Sequence, residues 1–99
     1  MKIWTYTFID LDMVRDDPQC AESVMPTQAW KDRASAEAAM QREVDLQLDE
    51  AFEDEPYNRP LVRVDDLKWH DAHSGEMKRW ESFVEEVNSW FYLYEMEVL

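Results

Sequence analysis

His70, Asp71 and His73 form the tightest grouping of metal-competent side chains in the sequence. Two imidazoles and a carboxylate bind zinc when their donor atoms converge on one point. On a strand running into a turn, neighbouring side chains point to different sides, so this spacing does not force convergence. Cys20 is far off in sequence, and a solvated turn is the favoured reading. Asp10, Asp12, Asp16 and Asp17 form a second group, with the hard oxygen donors that magnesium prefers. No lysine, histidine or phosphate-cradling loop accompanies them, and Gly75 is the only glycine in the chain. Cys20 is also the only cysteine, with no adjacent histidine to activate it and no partner for an internal disulfide. Neither a Ser/His/Asp arrangement nor a dinucleotide fingerprint is present. The sequence therefore predicts no catalytic residue, no bound metal, no cofactor and no enzymatic activity.

The acids between residues 43 and 55 are more informative. Glu43, Asp45, Asp49, Glu50, Glu53, Asp54 and Glu55 follow one another with no lysine or arginine among them. Asp45 and Asp49 are four apart, as are Asp49 and Glu53, and Glu50 and Asp54. Like charges at that spacing destabilise a helix by about 0.2–0.5 kcal/mol per pair. The last three also crowd a helix C-terminus, where the backbone dipole is already negative. Charge placed against folding in this way points to a partner. At about 1.5 Å of rise per residue the stretch carries one acid every ~3 Å, close to the 3.4 Å phosphate spacing of one DNA strand. Leu46, off the apolar stripe and beside Asp49, Glu50 and Glu53, fits the apolar anchor of an interface with an acidic steering rim. The expected partner-binding set is Asp45, Leu46, Asp49, Glu50, Glu53 and Asp54. Asp10, Asp12, Asp65, Asp66, Glu85, Glu86, Glu95 and Glu97 extend the field. Replacing Asp49 and Glu53 with lysine is expected to weaken binding and, by removing repulsion, to raise melting temperature.

The elements that must position these residues are legible from periodicity. Lys2–Asp12 reads as a strand, with Trp4, Tyr6 and Phe8 on one face and Ile3, Thr5, Thr7, Ile9 and Leu11 on the other. Asp16, Asp17 and Pro18 end it in a loop. A short edge strand is expected over Val24–Trp30, restricted by Pro26. A long helix is expected over Ser35–Asp54, capped by Asp32 or Ser35. Its stripe is Ala36, Met40, Val44, Leu48, Ala51 and Phe52. Pro56 and Pro60 stop it. Leu61–Trp69 reads as a third strand, followed by a turn near Ala72–Gly75. Met77–Val87 fits either a helix or a strand; a strand over Met77–Val84, turning at Asn88 and Ser89, supplies the aromatic-rich strands with a pairing partner. Trp90–Leu99 reads as the last strand, with Trp90, Tyr92, Tyr94, Met96 and Val98 on one face. Phe91 and Leu93 make its other face apolar, which suits a central position. The expected architecture is one α+β domain spanning 1–99: an antiparallel sheet of four to five strands with one long amphipathic helix across a face.

The net charge of -13 sets the class of partner. It repels nucleic acid and anionic membrane surfaces and attracts basic protein surfaces. No apolar run approaches membrane-spanning length and no secretory leader is evident, so a cytoplasmic setting is expected. Five tryptophans argue against a disordered acidic tail.

The opening strand KIWTYTF, the helix start ASAEAAM and the ending WFYLYEMEV together resemble small acidic proteins encoded by phages and mobile elements. Some of that class are anti-CRISPR inhibitors, several of which act as DNA mimics. The resemblance implies an inhibitor, monomer or homodimer, that enters the basic nucleic-acid-binding groove of an effector complex in the host cytoplasm. It implies no catalytic residues. The alternative is a small phage or mobile-element structural or assembly accessory protein.

Overall fold

The computed structural model describes residues 1–11, 28–75 and 77–98. Strand β1 (Lys2–Asp10) is followed by helix α1 (Arg33–Ala51), then by β2 (His70–Asp71), β3 (Lys78–Val84) and β4 (Ser89–Glu97). The four strands form one antiparallel sheet in the order β1-β4-β3-β2, which makes the last strand a central one, as expected. The fold is α+β. Asp12, Asp16, Asp17, Pro18, Cys20 and the start of the strand expected over Val24–Trp30 lie outside the described residues. At the end of that strand, Trp30 bridges to Trp4 through two reciprocal backbone bonds of 2.7 Å.

Helix α1 starts where its cap allows. Asp32 keeps an extended backbone, and its carboxylate accepts a 2.8 Å bond from the Ser35 N–H. That bond satisfies an orphan donor of the first turn and pulls the Asp32 carboxyl below its ordinary range. The helix ends at Ala51, earlier than its charge pattern suggested. Phe52 caps it, donating to the Leu48 carbonyl at 3.0 Å, and the chain then enters a 3-10 turn at Pro56–Asn58. Ala51 is exposed, so the buried stripe is Ala36, Ala39, Met40, Val44 and Leu48.

This stripe packs on Val84, Phe91 and Leu93 of the sheet and on Val62, Val64 and Val87 of the connections. Register fixes which side chains share that face. Phe91 lies opposite Phe8, and Leu93 opposite Tyr6 and Trp80. The fully buried side of β4 is thus the Phe91/Leu93 side, while Trp90, Tyr92 and Tyr94 occupy the far face and stay half-buried. The pleat sends alternate residues to opposite faces, and the helix takes the face of β4 that carries Phe91 and Leu93 rather than its Trp90, Tyr92 and Tyr94 face.

The strand expected over Leu61–Trp69 does not form. Its apolar residues alternate well enough, but its backbone groups find a different partner. The Gln41 amide donates to the Val62 carbonyl at 2.8 Å, and its oxygen accepts from the Val64 N–H at 2.7 Å. One helix side chain therefore supplies what a neighbouring strand would have supplied, and a 3-10 turn follows at Val64–Asp66. Leu61 is left 73% exposed, while Val62 and Val64 enter the core. The ambiguous stretch after Gly75 is strand β3, ending in a 3-10 turn at Glu85–Val87 and a left-handed Asn88.

Two stability outcomes follow. Gln41→Leu strands two backbone groups and should cost about 1–3 kcal/mol, against about 2–5 kcal/mol for Leu48→Ala, which opens a core cavity. Urea denaturation of the two variants checks this order. Asp32→Ala should lower the melting temperature, with Asp32→Asn retaining most of the cap. A carboxyl depressed by folding stabilises above its ordinary value of 3.8 and loses that effect as pH falls. The gap between wild type and Asp32→Ala should therefore narrow below pH 3.8 in pH-resolved thermal melts.

Candidate functional site

The six expected site residues divide between the two flanks of α1 and the turn that follows it. Asp45 and Asp49 face the connector. There Arg59, placed by the Pro56–Asn58 turn, reaches back over the helix. Its Nε lies 2.6 Å from Asp49 Oδ1, and one terminal nitrogen lies 3.0 Å from Asp45 Oδ1. Asp45 also accepts from Gln41 at 3.2 Å. The guanidinium is held above its ordinary pKa range, first by the Asp45 hydrogen bond and then by Asp49, against the opposing effect of burial. The acids of the helix are thus not all without a cation: two of them form a clamp with a residue ten or more positions later in sequence.

Leu46 and Glu50 face the other flank. Leu46 is 54% exposed. It borders a groove of about 250 Å³ whose far wall is the stacked pair Tyr6 and Trp30, with ring centroids 5.6 Å apart. Burial raises the Tyr6 hydroxyl pKa, with Glu43 adding to the shift and Arg42 opposing it. An exposed leucine beside two stacked rings makes an apolar patch on a flank that also carries Arg42 and Glu43.

Glu50 borders a second groove, of about 320 Å³, and meets there Asp10 at the end of β1 and Glu86 from the turn before β4. Asn88 at φ 48 makes the reversal that brings the turn over the end of β1, where the Leu11 N–H donates to the Asn88 carbonyl at 3.0 Å. Glu86 also borders a third groove together with Asp66 and Glu85. A band of carboxylates therefore runs from α1 across the β3–β4 turn to the Val64–Asp66 turn. Glu53 and Asp54 follow directly after the helix and are exposed. Glu50, Glu53, Asp54, Asp66, Glu85 and Glu86 have no ion-pair partner among the described residues.

Four cations, Lys2, Arg33, Lys78 and Arg79, lie at the opposite end of the sheet, in contacts of their own. Arg33 pairs with Glu37 at 2.9 Å and lies over the rings of Trp4 and Trp80, whose centroids are 5.5 Å apart. Lys2 and Lys78 both reach Glu95, at 3.2 and 3.7 Å. Arg79 lies over Tyr92 at 5.4 Å.

The two histidines diverge. His70 lies opposite Glu81 on the far face of the sheet, whereas His73 meets the edge of Trp80 on the helix side. The Nδ1 of His73 sits 2.9 Å from the Arg79 carbonyl oxygen. No group of three His, Cys, Asp or Glu with metal-holding geometry occurs among the described residues. No helix among them is long and apolar enough to cross a membrane. No protein-family model, curated protein or solved structure matches the chain.

Arg59 is the residue that sequence spacing missed, because its partners lie across a proline-containing turn. It also splits the expected effect of the two lysine substitutions. Asp49→Lys sets an ammonium against Arg59 and should lower the melting temperature. Glu53→Lys relieves unpaired repulsion and should leave it unchanged or raise it. Calorimetry on the two single variants separates these outcomes.

Proposed function

We propose that this protein is an acidic protein-binding inhibitor of the anti-CRISPR kind. It occupies a basic nucleic-acid-binding groove of an effector complex as a DNA mimic. The observation that supports this reading is the carboxylate band without ion-pair partners among the described residues: Glu50 and Glu86 on one groove, then Asp66 and Glu85 on the next. Carboxylates close together repel, and the compact state bears that cost whether or not a partner is bound. A lysine- and arginine-lined groove relieves it on contact. The band steers such a partner in, and Leu46 beside Tyr6 and Trp30 offers the apolar anchor that fixes position.

The clamped pair Asp45 and Asp49 contributes field but fewer free carboxylate oxygens. Glu50, Glu53 and Asp54 therefore carry most of the direct contacts from the original six. The assembly-accessory alternative draws on Met77, Met96 and Val98, apolar side chains that stay exposed on the far face of the sheet. Sedimentation of the pure chain distinguishes the two readings: a constitutive large oligomer favours assembly.

The functional test is inhibition of target-DNA binding across a panel of purified guide-loaded effector complexes. At least one complex should be inhibited, and inhibition should weaken as salt rises. The variant Glu50→Gln, Glu53→Gln, Asp54→Asn should lose potency at least tenfold while melting no lower than wild type. Equal potency of the folded variant would remove the acidic band from the binding surface. No inhibition of any complex in the panel would count against the DNA-mimic reading.

A further inference from the structure

The edge of β3 holds an opening that the acidic band does not account for. The Ala72 N–H donates to the Arg79 carbonyl at 2.8 Å, so the backbone of Arg79 faces β2. In an antiparallel ladder the outward-facing residues alternate, which sends the N–H and C=O of Met77, Glu81 and Phe83 to the same side. Met77 is paired by Ser74, and Glu81 lies opposite His70. Phe83 has no backbone partner on that side among the described residues. The chain before β2 does not continue the strand alongside it: Leu67 and Trp69 pack against the core instead.

The divergence leaves a cleft of about 510 Å³, larger than the grooves at Glu50 and Leu46. Its apolar wall is Leu67, Phe83 and Trp90, and the last two rings sit 5.2 Å apart. Phe83 is 38% exposed. Asp66, Glu85 and Glu86 form the rim, with Lys68 as the lysine on the described lining. An unpaired strand edge, an apolar wall and an acidic rim together define one kind of occupant.

We propose that this cleft takes an extended, lysine- or arginine-bearing segment of a partner protein, which adds as a short strand beside Phe83. Its backbone completes the ladder, as in other strand-addition complexes. An aliphatic side chain fills the space against Phe83 and Trp90, and flanking cations meet Asp66, Glu85 and Glu86. The site is separate from the Leu46 flank and does not depend on the inhibitor reading.

The experiment is an NMR titration of the full-length 15N-labelled chain with acetyl-Lys-Val-Lys-Ile-Lys-Val-amide at up to millimolar concentration. A peptide with the same side chains and alternate backbone nitrogens methylated serves as control. The proposal expects shift changes confined to residues 66–70 and 82–90, and at least tenfold slower exchange of the Phe83 amide proton. It also expects at least tenfold weaker binding of the methylated peptide. Phe83→Ala should weaken binding, and Glu85→Gln with Glu86→Gln, two exposed positions, should weaken it in a properly folded chain. Three results would overturn the proposal: no shift change at millimolar peptide, equal binding of the methylated control, or shift changes centred on Leu46 and Glu50.

Discussion

The burial of the narrow α1 stripe against Phe91 and Leu93 is the contact on which the other described elements depend. Met40, Val44 and Leu48 are fully buried, as are the two β4 residues beneath them. Because β4 is central, the same two residues also set the faces of both neighbours through register. Displacing the helix would uncover the aromatic side of β1 and free the Val62–Val64 segment, which Gln41 holds from the helix itself. It would also free the β3–β4 turn, where Ser89 Oγ lies 3.5 Å from Gln47 Oε1. One packing contact thus orders the connections on both sides of the helix, and each of those connections carries acids.

Much of this was legible from residue spacing. The period of Met40, Val44 and Leu48 marked the helix and its buried side, and Asp32 marked its start. Alternation in β1 and β4 marked two strands, and the need of aromatic strands for partners decided correctly for β3. The misreadings share a physical cause, which is that non-local partners leave no periodic trace. Leu61–Trp69 alternates like a strand, yet its hydrogen bonds go to a glutamine some twenty positions earlier. Arg59 looked remote from the acids it clamps because Pro56 and the turn it starts intervene. In β4 both faces are apolar by composition, and only packing against the helix decided that Phe91 and Leu93 would be the buried ones. The acids of the site were visible; their division into a clamped pair and a free band was not.

The charge distribution has its own logic. At the end of the sheet near Trp4 and Trp80, cations lie over aromatic faces or share Glu95, so each sits in a place that already attracts it. At the other end, the C-terminus of α1 adds its negative dipole to Glu50, Glu53 and Asp54. No basic residue occupies the last turn of that helix. Among the described residues, Glu50, Glu53 and Asp54 at this end have no ion-pair partner.

The stacking of Trp4 on Trp80 also has an optical consequence. Two indoles held 5.5 Å apart at 23° have strongly coupled transitions, and the Arg33 guanidinium above them polarises both. One ring comes from β1 and the other from β3, strands that touch only through β4. Their coupling exists only while all three strands are in register. The near-ultraviolet circular dichroism of this pair is therefore a built-in gauge of sheet integrity, readable without any label.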